Sequence, residues 1–408
     1  MKNLLPASLA LALAASAFAL PRGVTHGTGL AATASNWPMI GSDPGQSYFN
    51  SAEHTLNPAR LRLRWRLSTA STDFVVANGG AYMLASAAPG QVRPRLVDGS
   101  TGTIRRIFPT MRAQFPHADS LAWSAGTLYV GGEALTALNG TTGKVLFRAR
   151  APQQRSGGEF QYVLPAHGIV YTARPFGGMP VQAVAIAGST GRILWAKQPL
   201  ATAPVVAGDR VFLSGTSDLG GAFSAGAGTS LWSAPEHNGT GIAWHAGSGR
   251  IFRTIELRSE RQPGGQLQTD VYTRDGRRLW GVSQFLPSAV AGNRVYGMLG
   301  GPQQRVPAAL DAATGRVLWA YRGGAGSFWF GLAVANRVVY AVNGSLGTLH
   351  AIDAFDVSTG ALIRRIKLPG HVDGPSNLEI ADGMLYVGVT QTSSDARTSR
   401  ALLLAYGK

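Results

Sequence analysis

Short apolar runs of about five residues recur along most of the chain, each broken by a turn that contains glycine. Residues 121–130 read Leu-Ala-Trp-Ser-Ala-Gly-Thr-Leu-Tyr-Val, and residues 204–213 read Pro-Val-Val-Ala-Gly-Asp-Arg-Val-Phe-Leu. Each stretch predicts two strands joined by a tight hairpin. A further pattern follows each pair: a small residue, a polar one two later, Thr-Gly, then an aromatic. Ala309-Leu310-Asp311-Ala312-Ala313-Thr314-Gly315-Arg316-Val317-Leu318-Trp319 is the cleanest copy. That pattern predicts a second hairpin, so each unit is four short strands.

Seven copies align, with turn glycines Gly102, Gly143, Gly191, Gly228, Gly276, Gly315 and Gly360. A period of this length marks a repeat architecture, not a chain of separate domains. The glycine ends a turn where positive φ penalises any side chain. Asp98, Asn139, Asp311 and Asp356 are placed to bond the turn's own amides. The aromatic position holds Phe147, Trp195, Trp232, Trp280 and Trp319, large enough to fill the gap between neighbouring sheets. Arg106 and Arg364 stand there in the first and last copies.

An eighth unit is split between the chain ends. Residues 378–381, 384–387 and 401–406 supply three strands, and 61–67 supply the outer one, with Trp65 in the aromatic place. The expected fold is all-β: an eight-bladed β-propeller of four antiparallel strands per blade, its ring closed by N-terminal pairing with the last blade. Seven blades plus a stray hairpin is the alternative count.

The first residues read as a targeting signal. Lys2 precedes an apolar run from Leu4 to Leu20, and Ala17-Phe18-Ala19 fits a cleavage site. The expected organisation is a signal peptide over 1–19, a linker over 20–35 and one propeller over 36–408, exported to the periplasm or cell envelope. Retention of the first segment as a membrane anchor is the alternative. The chain has no cysteine, which excludes disulfides, thiolate nucleophiles and cysteine-held metals. Charged residues make up 14% and the formal net charge is +16; 32 of the 37 basic residues are arginine. Such a balance attracts anionic partners. No His-Glu-x-x-His, Gly-Lys-Ser/Thr phosphate loop or Gly-x-Ser-x-Gly elbow is present.

The Ala-x-Asp-x-x-Thr-Gly-x-x-x-Trp repeat resembles the tryptophan-docking motif of pyrroloquinoline-quinone-like propellers. The segment Asn36-Trp37-Pro38-Met39-Ile40-Gly41-Ser42-Asp43, followed by Ser47 and Asn50, is similar to that family's N-terminus. The resemblance covers about residues 36–408. It implies one of three roles. Quinone-dependent dehydrogenases of the family use a channel cofactor, a calcium-type metal and commonly a vicinal cysteine pair. This chain lacks the cysteines and has few acids to cage a hard cation. Scaffolds of the outer-membrane β-barrel assembly machinery are similar in length and carry no cofactor. Anion-binding propellers are the third class, favoured here by charge alone. The resemblance implies a monomeric, non-catalytic scaffold for protein partners, with no catalytic, metal or cofactor residues. Binding of DNA or another polyanion is the alternative.

Four antiparallel strands per blade place the Thr-Gly hairpins on one face and the long, variable loops on the other, where function concentrates. The loops expected to face partners or anions carry Arg93, Arg95, Arg112, Arg155, Arg174, Arg258, Arg261, Arg305, Arg322, Arg397 and Arg400. Phe328-Trp329-Phe330 falls after the sixth blade, so Trp329 is an anchor candidate. In the competing reading, the phenylalanines cap the core. Arg60, Arg62, Arg64 and Arg66 alternate with apolar residues, which would place them on one face of the last blade's outer strand.

Overall fold

Alternating apolar runs of four to nine residues can satisfy their backbones only in sheets, and the hairpin spacing makes those sheets four-stranded. The computed structural model describes residues 35–113, 120–150, 159–176, 179–200, 203–214, 220–234, 239–257, 266–301, 304–323, 328–345, 348–392 and 399–408. The expected signal peptide and most of the linker lie outside them. Among the described residues, no helix is long and apolar enough to cross a membrane.

Eight antiparallel blades form the ring. Blade 1 runs through Phe74–Ala77, Gly80–Ala88, Gln91–Asp98 and Ile104–Ile107. Blade 2 uses Leu121–Ser124, Thr127–Val130, Leu135–Asn139 and Val145–Ala149. Blades 3 to 6 repeat this order from inner to outer strand. Blade 7 begins with Phe328–Ala335, Val338–Ser345 and Thr348–Asp356. Its outer strand is the first part of Leu362–Ala381, whose end becomes the inner strand of blade 8. Met384–Thr392, Ser399–Gly407 and Arg62–Thr69 complete blade 8. The pairing of Trp65 with Ala405, Leu67 with Leu403 and Thr69 with Ala401 closes the ring as the sequence predicts.

Every outer strand carries a one-residue bulge before its aromatic position. Ala309 faces Trp319 and Leu310 faces Val317, so Leu318 is skipped; Leu146, Leu194, Leu231, Leu279, Ile363, Arg105 and Arg64 are skipped likewise. A bulge re-aims the next side chain, and here that side chain crosses to the following blade. Trp65, Trp195, Trp232, Trp280 and Trp319 donate through Nε1 to Gly99, Ala225, Arg274, Ala312 and Val357 at 2.9–3.2 Å. The motif glycines sit beneath these rings. A Cβ on Gly315 would lie 2.6 Å from Trp280, and one on Gly360 would lie 2.4 Å from Trp319. Their positive φ is thus one of two reasons for glycine, the second being room for the ring. Where no tryptophan stands, Arg106 donates to Thr142 O at 3.3 Å, and Arg364 donates to Pro58 O at 2.9 Å. The bulge at Arg64 also breaks the strict alternation expected of Arg62, Arg64 and Arg66, although all three are exposed.

The turn chemistry follows the sequence. Asp311 Oδ1 accepts from the amides of Ala313 and Thr314 at 3.0 and 2.9 Å, and Asp98, Asn139 and Asp356 do the same in their own turns.

Candidate functional site

The inner strands surround a central channel, and residues 36–50 run across it as a belt. Trp37 exchanges two backbone hydrogen bonds with Val76 of blade 1, at 2.7 and 2.8 Å. Trp123 N donates to Pro38 O in blade 2, Val206 N to Pro44 O in blade 4, and Ala246 N to Gly45 O in blade 5. Val290 N reaches Ser47 O in blade 6, and Val334 N reaches Tyr48 O in blade 7. Asn50 Nδ2 donates to Ile380 O of blade 8 at 2.7 Å. Met39 and Ile40 pack with Val163 and Leu164 of blade 3. Each strand residue in these bonds is the penultimate one of its inner strand. The belt therefore sits at one level, at the Thr-Gly hairpin end of the channel.

The belt's own turns come from the residues that mark it in sequence. Gly41, Ser42, Gln46 and Tyr48 have positive φ, and a Cβ on Gly41 would lie 2.4 Å from Gln46 Cα. Asp43 holds the turn by accepting from Ser47 N at 3.1 Å and from the Ser47 hydroxyl. Burial pushes the Asp43 carboxyl above its ordinary range, against the pull of these bonds. Past the belt, buried Glu53 accepts from Ser35 Oγ, Thr55 N, Leu56 N and Gly383 N at 2.6–2.9 Å. Burial would raise its pKa, but these hydrogen bonds, foremost that of Gly383, outweigh it and hold the pKa low.

A cavity of about 360 Å³ lies between the belt and the inner strands of blades 3 to 8, with Trp37, Gln46, Tyr48, His245 and Glu379 in its wall. His245 places Nδ1 2.9 Å from Gln46 O, and burial drives its pKa down, so the imidazole stays neutral. Pyrroloquinoline quinone carries three carboxylates. The described lining offers such a group one carboxylate, on Glu379, and no lysine or arginine. Among the described residues, no three His, Asp or Glu side chains gather to hold a metal. The lining does not fit the quinone, and no redox step is derived through it.

The arginine rim differs from expectation in several places. Arg93 and Arg95 lie on the third strand of blade 1, not in a loop, because the preceding turn is just Pro89 and Gly90, with Gly90 at φ +69°. Arg93 Nε donates to Thr110 Oγ1 at 3.0 Å, and Arg95 is half-buried. Arg174 is on the second strand of blade 3. Arg112 forms the short strand Met111–Arg112 and is exposed. Arg305 precedes the third strand of blade 6, half-buried; exposed Arg322 follows its outer strand. Arg400 lies not in a loop but on the third strand of blade 8, Ser399–Gly407, because it pairs there with Gln391; it is exposed and donates to Gln391 Oε1 at 2.9 Å. Arg155, Arg258, Arg261 and Arg397 lie outside the described residues. Trp329 is no surface anchor. It is 4% exposed in the inner strand of blade 7 and donates through Nε1 to Asp353 Oδ2 at 3.0 Å. Arg365 clamps the same fully buried carboxylate with bonds of 2.7 and 2.8 Å. Arg148 and Arg150, at the end of blade 2's outer strand, went unnoticed as rim residues; their spacing around Ala149, just past Phe147, is the signal that could have found them.

These features define a belt across a tryptophan-docked, eight-bladed propeller. The family model described as outer membrane protein assembly factor BamB matches residues 131–289 and 302–401. That is more than half of the chain, and the chain belongs to this family. No curated protein matches it. Among solved structures it is similar to BamB from Moraxella catarrhalis: 15% identity, TM-score 0.57, 85% of this chain and 98% of that one covered. It is also similar to the quinohemoprotein alcohol dehydrogenase from Comamonas testosteroni: 14% identity, TM-score 0.63, 92% and 81% covered. A europium-containing methanol dehydrogenase gives 13% identity, TM-score 0.63 and 92% and 98% coverage. At these identities the likeness concerns the fold.

Proposed function

We propose that the chain is a non-catalytic adaptor of the cell envelope that holds protein partners on its long-loop face, in the setting of outer-membrane protein assembly. One observation carries the reading: the hairpin face is used internally, by tight turns and by the belt, while the long, variable loops gather on the other face. On the hairpin face, Asp98, Asp311 and Asp356 cap turns, and Asp98 also meets Arg105. The belt occupies the channel end on that side. On the long-loop face, Arg112 and Arg322 are exposed, as are Arg192, Arg277 and Arg316 on the hairpin face. The misfit of the channel lining to a carboxylate-rich quinone supports a role without catalysis.

Photo-crosslinking in cells tests the reading. A photoreactive residue at Gln91 or Arg322, on the long-loop face, should capture discrete protein partners. The same residue at Thr142 or Thr314, on the hairpin face, should not. Crosslinks confined to the hairpin face would refute the assignment. The second reading, a polyanion site, rests on the same exposed arginines. It would show as binding to DNA that collapses between about 50 and 200 mM salt.

A further inference from the structure

A groove of about 520 Å³ on the long-loop face lies between blades 1 and 2. Arg112 enters it from the strand that follows blade 1, and Arg148 and Arg150 enter from the end of blade 2's outer strand. All three are exposed, and none forms a side-chain hydrogen bond or ion pair among the described residues. Glu133 is the one carboxylate on the described walls, against three guanidinium groups. Arg112 and Glu133 are tied through their backbones, Glu133 N donating to Arg112 O at 3.3 Å, which joins the two blades across the groove floor. Thr110 and Thr136 add hydroxyls to the lining.

The groove has a second property. The outer strand Val145–Ala149 is the last in its sheet, so its outward amides and carbonyls have no strand partner among the described residues. An exposed edge of this kind templates an added strand. Arg148 lies on that edge and Arg150 just past its end, two residues apart, the spacing at which side chains of an extended chain repeat. A peptide laid along the edge with acids at every second position would meet both in register, and Arg112 would face it from the other wall. A nucleic-acid backbone has no N–H donors to pair with a strand edge.

We propose that this groove binds a short, extended, acidic segment of a protein partner, paired with the outer strand of blade 2 and clamped by Arg112, Arg148 and Arg150. The proposal rests on the adaptor reading and names the chemistry of one of its partners.

The test uses the mature chain and a fluorescein-labelled octapeptide of alternating Glu and Val, read by fluorescence anisotropy. A Gln-Val peptide and a 20-base-pair DNA duplex are compared under the same conditions. The Glu-Val peptide should bind at least about tenfold more tightly than the Gln-Val peptide. The double charge reversal Arg148→Glu/Arg150→Glu should weaken it at least about tenfold, whereas Arg322→Glu, elsewhere on the same face, should change it less than about twofold. The neutral pair Arg148→Gln/Arg150→Gln, checked for an unchanged melting temperature, separates lost binding from lost folding and should give an intermediate loss. Equal binding of the two peptides, or binding indifferent to the charge reversal, would overturn the proposal. Competition by the duplex at lower concentration than the acidic peptide would overturn the peptide assignment. If crosslinks from Arg322 persist while the groove variants behave as wild type, the groove fails and the adaptor reading survives. If long-loop crosslinks are absent from the wild type, the adaptor reading fails, whatever the peptide does.

Discussion

Gly315→Ala and Gly249→Ala form a matched pair that isolates the tryptophan docking from turn geometry. The two glycines have nearly the same backbone, φ +74° and +70°. Their surroundings differ. A Cβ on Gly249 meets nothing within 4 Å, whereas one on Gly315 would lie 2.6 Å from Trp280 Cε3. The left-handed conformation penalises alanine at either site by about 1 kcal/mol. At Gly315 the ring must also shift. That shift breaks the 3.2 Å bond from Trp280 Nε1 to Ala312 O, worth about 1 kcal/mol. It also overpacks the blade 5–6 interface by about 1–3 kcal/mol. Gly249→Ala should therefore cost about 1 kcal/mol and Gly315→Ala about 3–5 kcal/mol, measured by guanidinium unfolding followed through tryptophan fluorescence. With Trp280→Ala in the background, the further loss from Gly315→Ala should shrink to about 1 kcal/mol, because the obstructing ring is gone. Equal losses for the two glycines, or strict additivity with Trp280→Ala, would refute the docking account.

Other outcomes follow from the same geometry. Glu53→Ala removes one acceptor from several donors, among them Ser35 Oγ, Leu56 N and Gly383 N; it should destabilise by about 3 kcal/mol or more, read by the shift in denaturant midpoint. Arg365→Ala leaves the buried Asp353 carboxylate with the Trp329 indole and should cost about 3 kcal/mol. Replacing Asp353 and Arg365 together with apolar residues should cost less than that single change. Asp311 has its pKa held below the usual carboxylate range, first by the Thr314 hydroxyl and then by the Thr314 amide. Its stabilisation is complete above the ordinary carboxylate range near pH 4 and fades as pH falls through the depressed value. Asp311→Asn should accordingly lose less melting temperature than the wild type between pH 7 and pH 3.

The repeat was legible because each part of it answers a local demand. Asp311 must reach two amides, Gly315 must turn, and Trp319 must bury, so their spacing survives in the sequence even where Ser224 or Tyr272 replaces the first residue. The split blade was legible for the same reason, since the tryptophan of 61–67 lacked a unit of its own. The belt was not. Residues 36–50 were recognisable as a motif, but their bonds go to backbone atoms of strands up to 330 positions away, and a backbone acceptor leaves no mark on residue identity. Trp329 misled because a tryptophan near a predicted loop looks the same whether it faces water or a buried carboxylate. Arg93 and Arg95 were misplaced because a two-residue turn at Pro89 and Gly90 leaves less loop than the composition suggests.

The belt imposes an order of events on folding. Residues 36–50 are made first, yet their partners include Val290, Val334 and Ile380, made near the end. The outer strand of the last blade likewise waits for residues 401–407. No growing chain can reach this state until residues 401–407 have emerged, because the belt and the strand Arg62–Thr69 are stitched to segments made late. Truncation at either end therefore removes more than a terminal strand: it takes away the fastening that holds the circle shut.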